Sequence, residues 1–574
     1  MQRCFTAVVL TLCLLLSPPI HAQQSQTSVE TDAKQSSITE KLDSLFSSWD
    51  KQNTPGAAVA VIKDGQIVYS HGYGMADLER AAPNTPATVF HVASMSKQFT
   101  AFAVHLLAQD GKLSLDDDVR KYLPELHDYG QTITIRHLLH HTSGLRDQWN
   151  LLALAGWRLA DVITEDDILQ LLWRQKELNF APGAEFLYSN SGYTLLGVIV
   201  KRVSGMSLPA FTQERMFKPL GMRNTHFHDD YQSLVKGRAS SYVQKLGVGY
   251  QYVALSYSNV GATSLFTTVE DLALWDQNFY DGRVGSKELL AQMQTKGKLN
   301  SGKTIDYASG LLIGEHRGLG TVEHAGGDAG FRTDMLRFPD QHFSVTILSN
   351  AGDMNPSLLA RKVAALYLHD VLSPAPAEPK KREWVEVPVD PKVLDTLVGD
   401  YALSPDFVIT FTRENDQLMT QATGQGKFPV FGGGERTFFA KVVDAQFTFS
   451  EPGDDGIVAS GVLHQNGRDM LAKRVKRTPS SLDELNARVG EFYSDELHVL
   501  YTLTQKDGKL LLRYPRGEVT LNQSAPNVFS ASFPIGKIQF KCETDKSCNE
   551  FALSNGRVRN LHFSRIVLNS AVVH

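Results

Sequence analysis

The last third of the chain repeats itself, and this repeat limits the possible folds more strongly than any other feature of the sequence. The motif VGDY at 398–401 returns as VGEF at 489–492, and an Asn-Gly-Arg turn follows in each copy. Between these motifs, short segments of alternating apolar pattern are separated by turn residues, as is typical of β-strands. The pattern predicts two tandem all-β domains, each a small barrel or sandwich, over residues 393–477 and 485–574. A single larger sheet is the alternative.

A proline-rich segment separates this repeat from the rest of the chain. Residues 372–392 include SPAPAEPKKREWVEVPVDP, whose prolines and charges predict an extended linker. Upstream, residues 38–371 contain helical periodicities flanked by strand patterns, first in GAAVAVIKDGQIVYSHGYG at 56–74 and later in HFSVTILSN at 342–350. Strands at both ends with helices between them predict an α+β domain whose sheet is assembled from distant segments.

The N-terminus has the pattern of a secretory signal. Arg3 precedes an apolar run from Ala7 to Leu16, and the segment ends on the small residue Ala22. Because a membrane span takes about twenty residues, this run favours a cleaved signal over the alternative of a membrane anchor. We expect a signal over residues 1–22, a disordered polar leader over 23–37, and a periplasmic or secreted protein without membrane insertion after cleavage.

The composition is that of a globular protein, and the cysteines that remain after signal cleavage could pair in an oxidising compartment. The chain is 42% apolar and 21% charged, as is typical of globular proteins, and its formal net charge of −5 without long basic runs predicts no nucleic-acid partner. Cleavage of the signal would leave two of the four cysteines, Cys542 and Cys548. The spacing suits a local disulfide in a hairpin, and two free thiols are the alternative.

The first candidate site residues are Ser94 and Lys97, which lie at the start of an apolar-periodic helix. Residues three apart share one helix face, so the hydroxyl and the amine are expected to point into one cavity. The amine must be neutral to accept the serine proton, which requires its pKa to fall from about 10.4 to near 7, with burial and positive neighbours as the available causes. Ser233 and Lys236 have the same spacing but lie in a polar run, so we interpret them as a chance match.

The second candidate segment is PGAEFLYSNSGYTLLG, which places Tyr188 and Asn190 in a loop before a buried helix. A tyrosine close to an amine can carry a proton to a leaving group, and an asparagine amide can orient a substrate amide. The triplet YSN recurs at 257–259. We favour the first copy because a turn introduces it and a helix follows it.

The third candidate segment is TVEHAGGDAGF, which contains His324, Gly326 and Gly327. Its glycines would allow a substrate backbone to approach a strand edge, and the N–H groups of Gly327 and Ser94 could together hold a tetrahedral oxyanion. A nearby His-Arg-Gly at 316–318 lacks the run of glycines.

A metal site is an alternative hypothesis for this sequence, because His137, His140 and His141 cluster. Zinc would need at least one further ligand, and no HExxH pattern is present. We therefore interpret these histidines as capping or packing residues, and we expect neither metal nor cofactor.

Taken in this order, the three segments resemble the serine penicillin-recognising family, which includes class C β-lactamases, D,D-carboxypeptidases, related esterases and D-aminopeptidases. The resemblance covers residues of about 40 to 370 and includes the segment IRHLLHHTSGL. It implies a β-lactamase/transpeptidase-like catalytic domain, with an antiparallel sheet and helices on both sides. The family motif Lys-Thr-Gly begins here with His324 instead of lysine, which weakens recognition of a free carboxylate and resembles the D-aminopeptidase and esterase branch. In that branch the β-domains are expected to pack on the catalytic domain and to send a loop to its cleft.

The resemblance implies a secreted serine hydrolase. Ser94 would form an acyl-enzyme with a small peptide, amide or ester, such as a D-amino-acid peptide, with Lys97 and Tyr188 carrying protons and Asn190 orienting the substrate. A β-lactamase or D,D-carboxypeptidase is one alternative, and a receptor-like protein that is acylated without turnover is another. The oligomeric state stays open.

Overall fold

The structure is a computed structural model that describes residues 37–245, 247–375, 384–404, 407–423, 425–434, 436–465, 467–476, 480–543 and 547–566. The predicted signal over residues 1–22 and the leader as far as residue 36 lie outside the described residues, and the first helix begins at residue 37. In the described ranges no single helix is long and apolar enough to cross a membrane, while one bent pair, Asn190–Ser204 with Leu208–Leu220, passes that test jointly.

The first domain is built on a six-stranded antiparallel sheet in the order β12-β13-β14-β15-β1-β2. Short two- and three-stranded sheets surround it. Its strands, in chain order, are β1 Ala57–Lys63, β2 Gln66–Tyr73, β3 Met75–Asp77, β4 Ala82–Pro83, β5 Phe90–His91, β6 Ile163–Thr164, β7 His226–Phe227, β8 Tyr242–Lys245, β9 Gly249–Tyr252, β10 Tyr257–Ser258, β11 Leu265–Thr267, β12 Leu312–His316, β13 Leu319–Asp328, β14 Phe331–Phe338 and β15 Phe343–Ser349.

Helices cover both faces of this sheet, which confirms the predicted fold class. In β1, Ala58 and Ala60 face one buried cluster while Val59 and Val61 face the other, because successive side chains of a strand point to opposite faces. The helices are α1 37–46, α2 Ser96–Gln109, α3 Ile135–Leu139, α4 Gln148–Leu154, α5 Glu165–Trp173, α6 Asn190–Ser204, α7 Leu208–Thr212, α8 Lys218–Leu220, α9 Val269–Asp281, α10 Lys287–Met293 and α11 Pro356–Tyr367.

The repeated part folds as two closed eight-stranded antiparallel barrels. Each predicted all-β domain is therefore a barrel and not a sandwich, and the alternative of a single larger sheet is wrong. The first barrel has β16 Gly399–Ser404, β17 Phe407–Glu414, β18 Gln417–Ala422, β19 Phe428–Gly432, β20 Thr437–Ala440, β21 Ala445–Phe449, β22 Ser460–Gln465 and β23 Arg468–Val475. The second has β24 Gly490–Ser494, β25 Val499–Lys506, β26 Lys509–Tyr514, β27 Gly517–Ala525, β28 Val528–Ala531, β29 Gly536–Cys542, β30 Cys548–Asn555 and β31 Val558–Arg565.

The repeated VGDY and VGEF motifs sit where each barrel closes. In the first barrel the Arg474 guanidinium donates to the Val398 carbonyl, and in the second the Arg565 guanidinium donates to the Val489 carbonyl at 2.5 Å. The glycine of each motif, Gly399 or Gly490, has a φ of +155° or +151°, which residues with side chains rarely adopt, and a Cβ there would displace the arginine. In the second barrel Cys542 and Cys548 are joined as a disulfide across the hairpin of β29 and β30.

The linker is less extended than its composition predicts. Residues 376–383 lie outside the described residues, but Val387 N donates to Gly432 O at 2.9 Å, and the Trp384 ring stacks on Phe439 with centroids 5.5 Å apart. Helix α12 then begins at Pro391, within the predicted linker, and runs to Leu397, and α13 (Leu482–Asn486) precedes the second barrel. Apolar contacts with the first barrel therefore order the second half of this segment.

The second barrel packs on the first domain through a buried ion pair. Arg146 Nη1 lies 2.5 Å from Glu496 Oε2, and the two side chains are 0% and 5% exposed. The same guanidinium donates to the carbonyls of Arg559 and Asn560 at 3.0 and 2.7 Å. These bonds attach α4, whose N-cap follows Arg146, to the end of the barrel.

We expect Glu496→Ala to weaken this interface by about 3 kcal/mol, because the variant removes the buried counter-charge of Arg146 and leaves only the half-exposed Glu177, 3.8 Å from the guanidinium. The matched control is Asp495→Ala, whose ion pair with Lys176 spans 3.4 Å between side chains that are 71% and 60% exposed; its loss should cost no more than about 1 kcal/mol. Urea unfolding, together with limited proteolysis at the interface, measures the loss of stability in both variants. Equal effects of the two variants would contradict a structural role for the buried pair.

Candidate active site

Ser94 lies in a short 3-10 turn, Ala93–Met95, that leads directly into α2. The sequence predicted it in the first turn of the helix, and the structure places it just before that turn. Ala93 has φ +49°, a left-handed conformation that is unfavourable for a residue with a side chain and is often found where a site constrains the backbone. The turn leaves Ser94 partly exposed while every residue from Met95 to Leu107 is buried.

Lys97 is completely buried one turn after Ser94. Its Nζ lies 3.1 Å from Ser94 Oγ, 2.8 Å from Asn190 Oδ1 and 2.7 Å from Ala262 O. Burial lowers the pKa of Lys97 to about 7, which a nearby carboxylate, Asp147, partly opposes and Arg557 assists. The amine is therefore substantially neutral at physiological pH, as a proton acceptor must be.

Tyr188 packs against this amine from the cleft side. Its ring centroid lies 4.9 Å from Lys97 Nζ and 4.1 Å from the His141 ring. The hydroxyl is buried and makes no hydrogen bond of ordinary geometry to any residue in the described ranges. Burial raises the pKa of Tyr188, an effect that the neighbouring Ser94 hydroxyl partly offsets, so this side chain is a neutral proton donor.

Asn190 is the first residue of α6, and hydrogen bonds to Asp147 fix its position. The sequence analysis did not identify Asp147 as a site residue. Asp147 Oδ2 accepts from Asn190 N at 2.7 Å and from Asn190 Nδ2 at 2.8 Å. These bonds fix the amide with its oxygen toward Lys97. Asp147 also caps α4 by accepting from Trp149 N at 3.0 Å, so its sequence context, an aspartate before a helix, indicates only a cap.

Strand β13 carries the third segment past the Ser94 turn. A Cβ on Gly326 would lie 2.2 Å from Val92 O and 2.4 Å from Thr333 Oγ1, so only glycine allows the strand to approach this closely. A Cβ on Gly327 would meet only the far end of the Arg332 side chain. The glycines of HAGG therefore differ in role: the first sets the distance to the turn, and the second faces the cleft.

His324 is neutral, and both of its ring nitrogens are engaged. Nδ1 lies 2.7 Å from Ala325 O and must carry the proton, because a carbonyl only accepts. Nε2 then accepts from the Tyr307 hydroxyl at 2.9 Å. Burial and the positive charge of Lys97 lower the pKa of His324 to about 3. This imidazole has neither the charge nor the free donor with which a lysine would hold a carboxylate.

Arg557, from the turn between β30 and β31 of the second barrel, reaches the same cleft. Its guanidinium carbon lies 4.8 Å from the Tyr188 ring centroid, and Nη1 lies 3.8 Å from Asp147 Oδ2. The backbones of these two residues are also joined, because Asp147 N donates to Arg557 O at 3.2 Å. This arginine belongs to the second copy of the repeated Asn-Gly-Arg turn, so the barrel sends a loop to the cleft as the resemblance implied.

The cleft has a volume of about 1050 Å³. Its walls come from the first domain, apart from Arg557. They include Ser94, Tyr188, Asn190, His324, Gly326 and Gly327, together with Trp149, Phe186, Tyr257, Asp328 and Arg332. All the predicted site residues except Lys97 therefore line one cavity, and Lys97 lies directly behind it.

The second copies of the Ser-x-x-Lys and YSN motifs, which the sequence analysis did not favour, lie in different surroundings. Ser233 and Lys236 are exposed on the surface, where Ser233 Oγ donates to Asp230 Oδ2. The second YSN copy does reach the cleft, but its Tyr257 hydroxyl donates to Asp328 Oδ1 at 3.2 Å.

The histidine cluster divides into a cap and packing residues. His137 forms a capping box with Thr134 at the start of α3. His141 is buried and accepts from Ser189 N at 3.2 Å, behind Tyr188.

Comparison with known proteins places these motifs in a family. The Beta-lactamase family model matches residues 38–369. A penicillin-binding protein of Bacillus subtilis (strain 168) is 30% identical over 460 residues, which cover 76% of this chain and 98% of that protein. A D-aminopeptidase of Gluconobacter oxydans (strain 621H) is 27% identical over 327 residues, which cover 57% of this chain and 60% of that protein.

Solved structures share the fold. The octameric penicillin-binding protein homologue from Pyrococcus abyssi has a TM-score of 0.54 at 24% identity, covering 85% of this chain and 99% of that chain. The D-amino acid amidase from Ochrobactrum anthropi SV3 complexed with D-phenylalanine has a TM-score of 0.50 at 22% identity, covering 58% and 99%. Because the family model spans most of the first domain and all three site segments, the chain belongs to the beta-lactamase family, as its resemblance to serine penicillin-recognising proteins predicted.

Proposed function

We propose that this protein is a serine hydrolase that forms an acyl-enzyme on Ser94 and cleaves small amides or esters. The observation that carries the proposal is the buried Lys97 amine, 3.1 Å from Ser94 Oγ with its pKa lowered to about 7. A buried amine of this pKa beside a hydroxyl at the mouth of a cleft is suited to proton abstraction and is costly to maintain for structure alone.

In acylation, the neutral Lys97 amine takes the proton of Ser94 Oγ as that oxygen bonds to the substrate carbonyl carbon. The carbonyl oxygen becomes an oxyanion, which we assign to the backbone N–H groups of Ser94 and Gly327. Asn190, held by Asp147, keeps Lys97 aligned with the hydroxyl and presents its amide to the substrate.

Collapse of the tetrahedral intermediate breaks the bond to the leaving group, which needs a proton. The buried Tyr188 hydroxyl, which makes no hydrogen bond of ordinary geometry within the described residues, donates that proton and regains one from the Lys97 ammonium. Water then attacks the acyl carbonyl and loses a proton to the same amine and phenol pair, and Ser94 leaves with its proton restored.

We propose D-amino-acid amides or peptides as the substrate class. Two observations support this: the chain is 27% identical to a D-aminopeptidase over 327 residues, and His324 lacks the charge with which a lysine would bind a carboxylate. A second candidate, β-lactamase or D,D-carboxypeptidase activity, is favoured by Arg557, whose guanidinium lines the cleft and could bind a substrate carboxylate instead.

A substrate panel separates these candidates. Purified protein is incubated with D-alanine p-nitroanilide, L-alanine p-nitroanilide, p-nitrophenyl esters, an acyl-D-alanyl-D-alanine peptide and a fluorescent penicillin. We expect release from the D-anilide to exceed release from the L-anilide. Preferential cleavage of the peptide or penicillin would support the second candidate. Labelling without release of product would instead favour the receptor-like reading.

The rate should depend on pH through Lys97. Because its pKa is lowered to about 7, the amine is protonated and inactive below that pH and neutral above it. We therefore expect kcat/KM to rise between about pH 5 and about pH 9 and to reach half its maximum near pH 7. Initial rates with the best substrate of the panel measure this curve. A profile that is flat across neutral pH would contradict the assignment of Lys97 as base.

Arg557 should set part of that pH dependence from the second barrel. Its positive charge disfavours protonation of Lys97, so Arg557→Ala should raise the pKa of the amine and move the half-maximal pH upward by less than about one unit. The matched control is Arg559→Ala on the same hairpin, whose guanidinium pairs with Glu185 at 3.1 Å. An equal shift in both variants, or a shift toward lower pH in Arg557→Ala, would contradict the cross-domain effect.

A further inference from the structure

The two barrels differ in how their interiors are filled. Strand β18 of the first barrel corresponds to β26 of the second. Leu418 of β18 pairs with Val430 of the next strand, and Leu510 of β26 pairs at the equivalent position with Leu521 of its next strand. The next two inward positions are Leu512 and Tyr514 in the second barrel, but Thr420 and Ala422 in the first barrel. The first barrel therefore carries smaller side chains at one end of its interior.

At its other end the first barrel is filled by rings. Tyr401, Phe411, Phe447 and Phe449 pack with centroids between 4.7 and 5.6 Å apart. A Cβ on Gly461 would lie 2.1 Å from the Phe447 ring, so a glycine makes room for this ring. The rings form a floor, and the missing volume is concentrated above it.

The result is a cavity of about 300 Å³ inside the first barrel. Its walls are apolar and rich in phenylalanine, including Phe407, Phe428 and Phe438, and among the described residues of the barrel no charged side chain lines it. The polar groups that do line it are Thr420 and three glutamine amides, which are neutral. Eight-stranded barrels are wide enough to be filled by side chains or to hold one small ligand, and this interior has the second character.

The cavity opens where the loop between β20 and β21 carries two exposed valines. Val442 and Val443 line the cavity and are 69% and 40% exposed. Adjacent apolar side chains that are exposed to solvent and continuous with an apolar interior are typical of the entrance to a binding cavity. A ligand can therefore enter without passing the active-site cleft, whose described lining residues are all outside this barrel.

We propose that the first barrel is a binding site for one uncharged, apolar small molecule. The volume is about twice that of the roughly 150 Å³ apolar cavity that holds benzene, so the ligand is of the size of a fused two-ring compound or a medium-length acyl chain. Binding comes from burial of apolar surface against the phenylalanines, and a neutral polar end can be hydrogen-bonded by Gln425, Gln446 or Gln465.

The test uses the neutral fluorescent probe N-phenyl-1-naphthylamine with the full chain. We expect saturable, blue-shifted fluorescence at one probe per chain. Filling the cavity with the side chains of the second barrel, in the double variant Thr420→Leu and Ala422→Tyr, should weaken binding at least tenfold. Ala440→Leu, from β20, is an independent filling variant. Met419→Leu, on the outer side of β18, and Phe186→Ala, in the cleft, are controls that should bind like the parent.

Energy transfer locates the probe without relying on the folding of any filled variant. The six tryptophans include one, Trp384, that stacks on Phe439 of this barrel, and the other five lie before residue 276. Probe emission excited through tryptophan should therefore fall in Trp384→Phe. Absence of binding in the parent, unchanged affinity in folded filling variants, loss of binding in Phe186→Ala, or unchanged transfer in Trp384→Phe would each overturn the proposal.

Discussion

Ser94→Ala should abolish hydrolysis, lowering kcat by roughly 10⁴ to 10⁶ for whichever substrate of the panel is cleaved. The variant removes the hydroxyl that Lys97 contacts at the mouth of the cleft, so no acyl-enzyme can form on this residue. Substrate binding and stability should change little, because Ser94 is partly exposed and its hydroxyl fills no core position. Steady-state kinetics and thermal unfolding measure the two effects separately.

The matched control is Ser233→Ala. Ser233 has the same spacing to a lysine, Lys236, but both residues are exposed on the surface and neither lines the cleft. Its loss should leave kcat at the parental value. Hydrolysis that survives in Ser94→Ala, or that falls equally in the two variants, would contradict a nucleophilic role for Ser94.

Lys97→Met should lower kcat/KM by roughly 10² to 10⁴, the usual contribution of a positioned general base. The substitution keeps an unbranched apolar stem in the buried site but removes the amine that bonds to Ser94 and Asn190. What remains should also lose the rise in rate near pH 7, because the titrating group is gone. This loss of the pH limb separates a catalytic role from a merely structural one.

The control for this variant is Lys236→Met, at the surface copy of the motif. A second comparison, Lys97→Arg, retains a positive charge that cannot be lost at neutral pH. It should be as inactive as Lys97→Met. Activity of Lys97→Arg comparable to that of the parent would show that the charge, and not proton abstraction, is what the site needs.

Parts of the site that lie within one local segment could be predicted from the sequence. Ser94 and Lys97 share a helix face, and Tyr188 and Asn190 share a turn, so spacing alone brings each pair together. The need for a buried lysine of lowered pKa also followed from elementary acid-base chemistry, and burial is the main cause that the structure supplies.

Contacts between segments far apart in the chain could not be predicted. Asp147 has the sequence context of an ordinary helix cap, and only the tertiary fold brings its second oxygen to Asn190. Arg557 lies in a turn whose first copy adds neither of its described residues, 467 and 468, to the cleft lining, so the repeat itself gives no sign that one copy is functional. The pairing of His324 with Tyr307 likewise depends on the approach of a loop to β13.

The same holds for the fold. The hairpin of β1 and β2 and the strands β13 and β15, which flank β14, have clear strand patterns, but β14 carries Arg332, Asp334 and Arg337 among its apolar residues. Asp334 and Arg337 are nevertheless buried, and Arg337 Nε donates to Asp276 Oδ1 at 2.9 Å. Buried charges of this kind hide a central strand from a reading based on hydrophobic alternation.

The central claim is that Ser94 becomes covalently acylated, and peptide mapping by mass spectrometry tests it most directly. The protein is incubated with a fluorophosphonate and, separately, with a penicillin, then quenched in acid and digested. We expect one adduct per chain, on the peptide that contains Ser94, and none in Ser94→Ala. An adduct on any other residue, or turnover of substrate by a chain that cannot be labelled at Ser94, would contradict this account.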